Sequence, residues 1–377
     1  MYEKKYKIVC LIHSLGHKGG MQRVAVNLAN NWAANGHTVE IWTLRNSKPF
    51  YKLNNSIAVV HLTGKEINGV NRIKKVIASF FELSKGIVLL NKLFSQRKPN
   101  IVVIHRGGVS DSFVGFQRFY RNRTLELLHM QFIQEPGAFP KYIEFIQSIV
   151  FRLFQPKENL VVLNSATQQM ALAAGWKNVV KIPNAVPFLS VAKSNCQNPY
   201  LLAVARDDPK KGLDILIRAF SIVSNKNKNW KLRIIGEGIT SSSNNVNKLI
   251  SELQLENQVV LLEPVSNIQE YYLDSSIYVL SSYTEGMPMV VLEAMECGLP
   301  IISSDLEGID DVISPKCSLK FQTGNFEQLA KQINRLIEDS EMRILMGKES
   351  TQHVKQFYPE NINSLWYELF DKTDSNN

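Results

Sequence analysis

Cysteine is scarce in this chain, and its four copies, Cys10, Cys196, Cys297 and Cys317, form no Cys-x-x-Cys pair. Such usage suits a reducing cytosol. Cys10 and Cys297 fall inside apolar strand and helix patterns, where cysteine behaves as a small hydrophobe. Long hydrophobic runs are also missing. No stretch approaches the roughly 20 apolar residues of a membrane-spanning helix, and the longest, GIVLLNKLF, is broken by Asn91 and Lys92. The N-terminal MYEKKYK leads straight into an apolar run too short for a signal peptide. No low-complexity tract is present. What remains is a chain of 377 residues, 45% hydrophobic and 20% charged, with the composition of a globular protein and a length suited to about two domains.

Acidic residues are outnumbered. The net charge is +9 and the isoelectric point about 9.2, which invites an anionic partner. Between residues 72 and 98 lie Arg72, Lys74, Lys75, Lys85, Lys92, Arg97 and Lys98 against Glu82 alone. The same segment carries Ile73, Val76, Ile77, Phe80, Phe81, Ile87, Val88 and Phe94 at helical spacing. Residues 139–155, FPKYIEFIQSIVFRLFQ, form a second aromatic-rich amphipathic stretch. A basic amphipathic helix can lie on an anionic membrane surface; the alternative is an ordinary core-packing helix with a solvated basic face. Nucleic acid is disfavoured as a partner, because the aromatics sit on apolar faces and no binding module is recognisable.

Strand and helix patterns alternate throughout. KIVCLIHSL (7–15) reads as a buried strand, followed by a glycine-bearing loop from Gly16 to Gly20, a helix ending at Gly36 and the strand HTVEIWTL. That order is a parallel doubly wound unit. Further strands are expected at 57–62, 100–105, 124–129, 160–164 and 179–184. After a polar linker, SVAKSNCQNP (190–199), the alternation restarts with strands at 200–205, 230–236, 259–264 and 277–282, then IISSD. The expected architecture is α/β: a Rossmann-like domain over 1–188, a second over 199–356, and a C-terminal helix over 357–377 packing back on the first. Glycine-rich strand ends of both domains are expected to face a central cleft.

Three features carry chemistry. In Gly16-His17-Lys18-Gly19-Gly20, glycines allow close backbone approach and the following helix offers N–H groups to a phosphate. The loop is not Gly-x-Gly-x-x-Gly, and the next strand ends Thr43-Leu44-Arg45 without the acid that would hold a ribose, so a nicotinamide site is a poor fit. A plain tight turn remains the competing reading. In ARDDPKKG (205–212), Arg206 and Lys211 project from one strand–helix turn, where two cations can flank a diphosphate. Asp207 and Asp208, adjacent acids before Pro209, read as turn formers rather than metal ligands. In SSYTEGMPMVVLEAMECGLPIISSD (281–305), Thr284 and Glu285 sit where an N-cap and a first-turn acid belong, Pro288 fits a first turn, and Gly298 with Pro300 is a stop signal. Glu293 stands among Val290, Val291, Leu292, Ala294 and Met295, so its carboxylate is expected at the edge of a core and in need of partners. Carboxylates suit sugar or ribose hydroxyls, and the amides from Gly286 through Met287 and Pro288 to Met289 lie near the expected helix start. Together the three features ask for ribose, diphosphate and sugar hydroxyls, as in a sugar nucleotide.

At this point the chain resembles glycosyltransferase family 4, retaining enzymes of the GT-B fold with two Rossmann-like domains. The resemblance spans nearly all of it: IHSLGHKGGMQRVAVNLANNWAANGHTVEIWTL at the opening, LVVLNSATQQMALAAG through IPNAV at the close of the first domain, LLAVARDDPKKGLDILIRAF with Ala205 where the family usually has Gly, and the Glu-x7-Glu pair Glu285 and Glu293 before Gly298 and Pro300. The resemblance implies that Arg206 and Lys211 hold the donor diphosphate, Glu293 the ribose, and Glu285 with the amides after it the transferred sugar. It implies that Gly19 and Gly20 approach the phosphates, that His105 lies near the reacting sugar, and that His129 belongs to the acceptor side. It implies front-side attack, with the leaving diphosphate helping to deprotonate the acceptor, and no metal or other cofactor. The expected donor is a UDP-linked hexose or N-acetylhexosamine, and the expected acceptor a glycan or lipid-linked saccharide of surface polysaccharide, such as lipopolysaccharide or O-antigen. Relatives on lipid-linked acceptors favour peripheral attachment at the cytoplasmic face of an anionic membrane. Rival readings are a sugar-nucleotide epimerase of the same fold and a non-catalytic sugar-nucleotide-binding partner subunit.

Overall fold

Near-continuous aliphatic runs form strands buried on both faces, which requires a parallel sheet covered by helices. The computed structural model describes residues 4–16, 18–62, 89–106, 124–128, 159–241 and 245–375. They divide into two units, Met1–Pro183 with Pro359–Asn377, and Asn184–Tyr358.

In the first unit, β1 (Lys7–Ile12), β2 (Thr38–Thr43), β3 (Ala58–His61), β4 (Ile101–Arg106), β5 (Thr124–Leu128), β6 (Asn159–Val162) and β7 (Val179–Lys181) form a sheet in the order β3-β2-β1-β4-β5-β6-β7, and every pairing is parallel. Helix α1 (Gly20–Ala34) buries Val24, Ala25, Leu28, Ala29 and Trp32. Helix α2 (Ser165–Ala173) is capped by Asn164, whose side chain accepts from the Thr167 amide. The C-terminal helix Pro359–Ser375 packs on α1 through edge-on contacts of Trp32 with Trp366 and Phe370, each 5.4 Å between centroids. Of the two basic amphipathic stretches, residues 72–88 and 139–155 lie outside the described residues. Residues 89–97 are helical and bury Leu90, Leu93 and Phe94 beside Trp42, leaving Lys92 and Arg97 exposed. That end of the first stretch is a core-packing helix with a solvated basic face.

In the second unit, β8 (Tyr200–Val204), β9 (Lys231–Ile235), β10 (Val259–Leu262), β11 (Ile277–Leu280), β12 (Ile301–Ser304) and β13 (Ser318–Phe321) form a parallel sheet in the order β10-β9-β8-β11-β12-β13. It is covered by α3 (Leu213–Lys226), α4 (Asn245–Glu252), α5 (Ile268–Leu273), α6 (Met289–Glu296), α7 (Phe326–Glu338) and α8 (Ser340–His353). Leu201, Ala203, Leu216, Phe220, Leu232, Ile234, Val279 and Ile302 lie in its core. Strand β13 has no counterpart in the sequence reading: SLKF is short, carries a lysine and forms the sheet edge.

Two features depart from the pattern of the sequence. Helix α6 begins at Met289 with Pro288 as its N-cap, so Thr284 is not the cap and Glu285 is not in the first turn. Proline at 288 takes extended backbone, φ −75° and ψ 101°, which delays the helix and leaves Glu285 on the loop before it. The segment 190–199 is polar yet fastened. Glu296, 1% exposed, accepts from the Ser190 amide at 2.8 Å and from Lys193 Nζ at 2.6 Å. The Cys196 carbonyl accepts from Arg343 Nε at 2.8 Å. A buried carboxylate is tolerated only with such partners.

Candidate active site

In an open parallel sheet, ligands gather at the carboxyl ends of the strands where the strand order reverses. The second unit reverses between β8 and β11, since β9 and β10 lie on one side of β8 and β11 on the other. The loops leaving those two strands are laced together. The Tyr283 amide donates to the Lys210 carbonyl at 2.8 Å, and Ser281 Oγ donates to the Lys211 carbonyl at 3.0 Å. The approach is so close that Gly212 has no room for a side chain. A Cβ there would stand 2.2 Å from the Ser281 carbonyl oxygen, and the backbone φ of +58° is itself one that glycine favours.

Within this junction Lys211 Nζ donates to Glu285 Oε1 at 2.8 Å, and Ser282 Oγ donates to the same oxygen at 2.6 Å. The ion pair is only partly exposed, where charge-assisted hydrogen bonds outweigh those at an open surface. Arg206 turns its guanidinium to Asp208, with Nη2 2.9 Å and Nε 3.2 Å from Oδ2, and its side chain remains 59% exposed. Asp208 also accepts from the Lys210 amide, capping the short turn Pro209–Lys211; that amide, with Arg206, holds its carboxyl below the usual range. Asp208 is thus the turn former expected, and it aims Arg206 as well. Glu293 lies on α6 and is 1% exposed, with Oε2 accepting from Tyr272 Oη at 3.0 Å. Gly286, Met287 and Pro288 form the turn between Glu285 and α6; Met287 and Met289 are buried, and Met287 Sδ accepts from the Asn184 amide.

The first unit carries the other candidates. Its sheet reverses between β1 and β4. The loop after β1 leads to Gly19, the N-cap of α1, and Gly20, its first residue. A Cβ at Gly20 would meet nothing within 4 Å, whereas one at Gly19 would meet only the end of the Gln22 side chain at 2.4 Å. Packing therefore does not demand glycine at 20. His105 lies near the end of β4 and is 1% exposed; burial pushes its pKa down to about 3, so the imidazole is neutral at physiological pH. His17 and His129 lie outside the described residues.

Residues 190–353 match the family model described as glycosyl transferases group 1. The chain is 25% identical over 380 residues to an uncharacterized glycosyltransferase of Haemophilus influenzae, covering 96% of this chain and 98% of that one. Residues 190–353 form a group 1 glycosyl transferase domain, and the chain has the GT-B fold. It is also 24% identical to the amylovoran biosynthesis glycosyltransferase AmsD of Erwinia amylovora, over 97% of this chain and 100% of that one. Among solved structures, Anabaena HepE in complex with UDP and glucose superposes with a TM-score of 0.74 at 16% identity, covering 97% and 99% of the two chains. The candidate site contains two neighbours that no motif marks. Ser282 and Tyr272 each hold one of the two carboxylates, and neither belongs to a spaced motif. Among the described residues no group of three or more His, Cys, Asp or Glu is placed to hold a metal ion, and no helix is long and apolar enough to cross a membrane.

Burial of neutral His105 has a pH consequence. Its folded pKa lies below the ordinary value of 6.5, so below pH 6.5 the unfolded chain binds a proton that the folded chain refuses. Stability is fully present above that pH and declines toward about pH 3, with this group alone removing about 1 kcal/mol per pH unit within the window. Urea unfolding at pH 7, 6 and 5 should show the decline, and His105→Gln should reduce it, leaving the part due to His37, which burial pushes down to about 4, and His353, which burial also lowers. A His105→Gln protein with the same pH slope would remove His105 as its source.

Proposed function

We propose that this glycosyltransferase is a retaining, metal-independent member of family 4 that moves a hexose or N-acetylhexosamine from a UDP-sugar to a glycan or lipid-linked saccharide in surface-polysaccharide assembly. The observation that carries the proposal is the junction at the β8–β11 reversal, where Lys211, Glu285 and Ser282 meet within 2.8 Å contacts beside the Arg206 loop. One site then offers cations for a diphosphate and a carboxylate for a sugar, while Glu293 on the next helix suits a ribose. Arg206 and Lys211 neutralise the departing diphosphate, Glu285 and the turn Gly286–Met289 hold the sugar, and the first unit is assigned the acceptor. Amylovoran assembly by AmsD supports the polysaccharide direction, and the UDP and glucose bound to HepE support the donor class.

A panel of UDP-, GDP- and ADP-sugars tests the proposal on purified protein. A UDP-sugar should raise Tm most, and slow release of UDP without acceptor should continue undiminished in EDTA, with the α-linked sugar of the donor retained in product. A shift in Tm without any hydrolysis or transfer would favour the partner-subunit reading. A new sugar nucleotide formed without acceptor would favour an epimerase. Loss of turnover in EDTA, restored by a divalent ion, would remove metal independence.

A further inference from the structure

Glu293 is a carboxylate in an apolar setting, and what surrounds it decides how it can be used. Two residues on, Met295 is fully buried, and one turn back lies the N-cap Pro288. From the opposite side comes Tyr272, on α5, with no exposed surface. Its hydroxyl donates to Glu293 Oε2 at 3.0 Å and lies 3.4 Å from the Val290 carbonyl on the same helix. Tyr278 of β11 stands behind it, fully buried, with ring centroids 5.9 Å apart. Burial first, and then the charge of Glu293, push the Tyr278 phenol well above its ordinary pKa, so this ring stays neutral beside the carboxylate.

The terminal torsion of a glutamate is broad, so a carboxylate held only at its stem samples many planes. A hydrogen bond from a packed phenol to one oxygen sets both the plane and the position of the other. We propose that Tyr272 is a positioning residue that holds the Glu293 carboxylate in the orientation needed for the ribose hydroxyls of the donor. The inference rests on the assignment of Glu293 to the ribose. Tyr272 touches no substrate in this scheme and acts through Glu293 alone. The bland alternative is a latch between α5 and α6 with no bearing on the ligand.

The experiment uses the full chain with Tyr272→Phe, Glu293→Gln and the double variant. Ligands are whichever of UDP, GDP and ADP the wild-type protein binds most tightly, and its 2′,3′-dideoxy form, measured by calorimetric titration. Tyr272→Phe should weaken the ribonucleotide about tenfold, the loss expected for one hydrogen bond to a charged group, and leave the dideoxy ligand within about twofold. The double variant should be no weaker than Glu293→Gln, the result expected if Tyr272 acts through Glu293. In turnover the donor KM should rise with kcat little changed. Equal weakening of both ligands, additive effects in the double variant, or unchanged binding would each overturn the positioning role. So would a Tyr272→Phe chain that fails to fold, which would make the hydroxyl a folding determinant. If Glu293→Gln keeps full preference for the ribonucleotide, the ribose assignment itself falls. If Glu293→Gln loses that preference while Tyr272→Phe keeps it, only the Tyr272 inference falls.

Discussion

Lys211→Ala is expected to lower kcat by about 100-fold to 1,000-fold, the cost of removing one preorganised charge from a developing oxyanion. The expectation follows from where the ammonium sits. It is 2.8 Å from Glu285 Oε1, so the cation is held within the candidate site and partly shielded. A departing diphosphate gains negative charge as the glycosidic bond breaks, and a nearby fixed cation is worth more to that state than to the bound donor. Donor affinity should therefore fall much less than kcat. Glu285 loses its cation in the variant but keeps the Ser282 hydroxyl at 2.6 Å, so the loop should hold and Tm change little. Lys211→Arg should not restore the rate, because a planar fork does not reproduce a compact ammonium held against the Glu285 carboxylate. Steady-state kinetics with a donor titration decides it: an unchanged kcat with only a raised KM would confine Lys211 to ground-state binding.

How much of this was legible in the chain divides along a physical line. Elements that depend on local pattern were legible: the buried strands, the restart of the alternation near residue 200, and the helix expected to end at Gly36, which the structure gives as Gly20–Ala34. Arg206 with Lys211, and Glu285 with Glu293, were legible as candidates because each pair lies within one short motif. What joins them was not. Lys211 and Glu285 are 74 residues apart, and Lys193 and Glu296 are 103 apart. No local pattern marks Glu296, the last residue of α6, yet it is as buried as Glu293. Local propensity also misplaced the start of α6, because the segment from Thr284 to Pro288 has the composition of a helix entry. Strand-end packing instead keeps it as a loop that carries Glu285 to Lys211.

Gly236→Ala should be the most damaging single methyl in the second unit. Gly236 follows β9 beside the end of its parallel neighbour β8, and the two strand ends are tied by the Ala205 amide to the Ile235 carbonyl at 3.0 Å and the Asp207 amide to the Glu237 carbonyl at 2.9 Å. A Cβ at 236 would lie 1.9 Å from the Ala205 carbonyl oxygen, 2.4 Å from its carbon and 2.9 Å from the Arg206 amide nitrogen. Every one of those atoms is backbone, so no rotamer change relieves the clash, and the strand ends must part. The cost should reach about 3 kcal/mol, the upper part of the usual range for overpacking, read as a lower denaturant midpoint at unchanged m. Activity should fall further than stability accounts for, because the atoms that must move carry Arg206 away from Lys211. Gly20→Ala is the control. Its methyl meets nothing within 4 Å, and alanine in place of a helical glycine should leave Tm equal or slightly higher. If Gly20→Ala nevertheless loses turnover, that glycine is there for a ligand; if Gly236→Ala keeps the wild-type midpoint, the close approach of Gly236 to the Ala205 carbonyl is not what shapes the Arg206 loop.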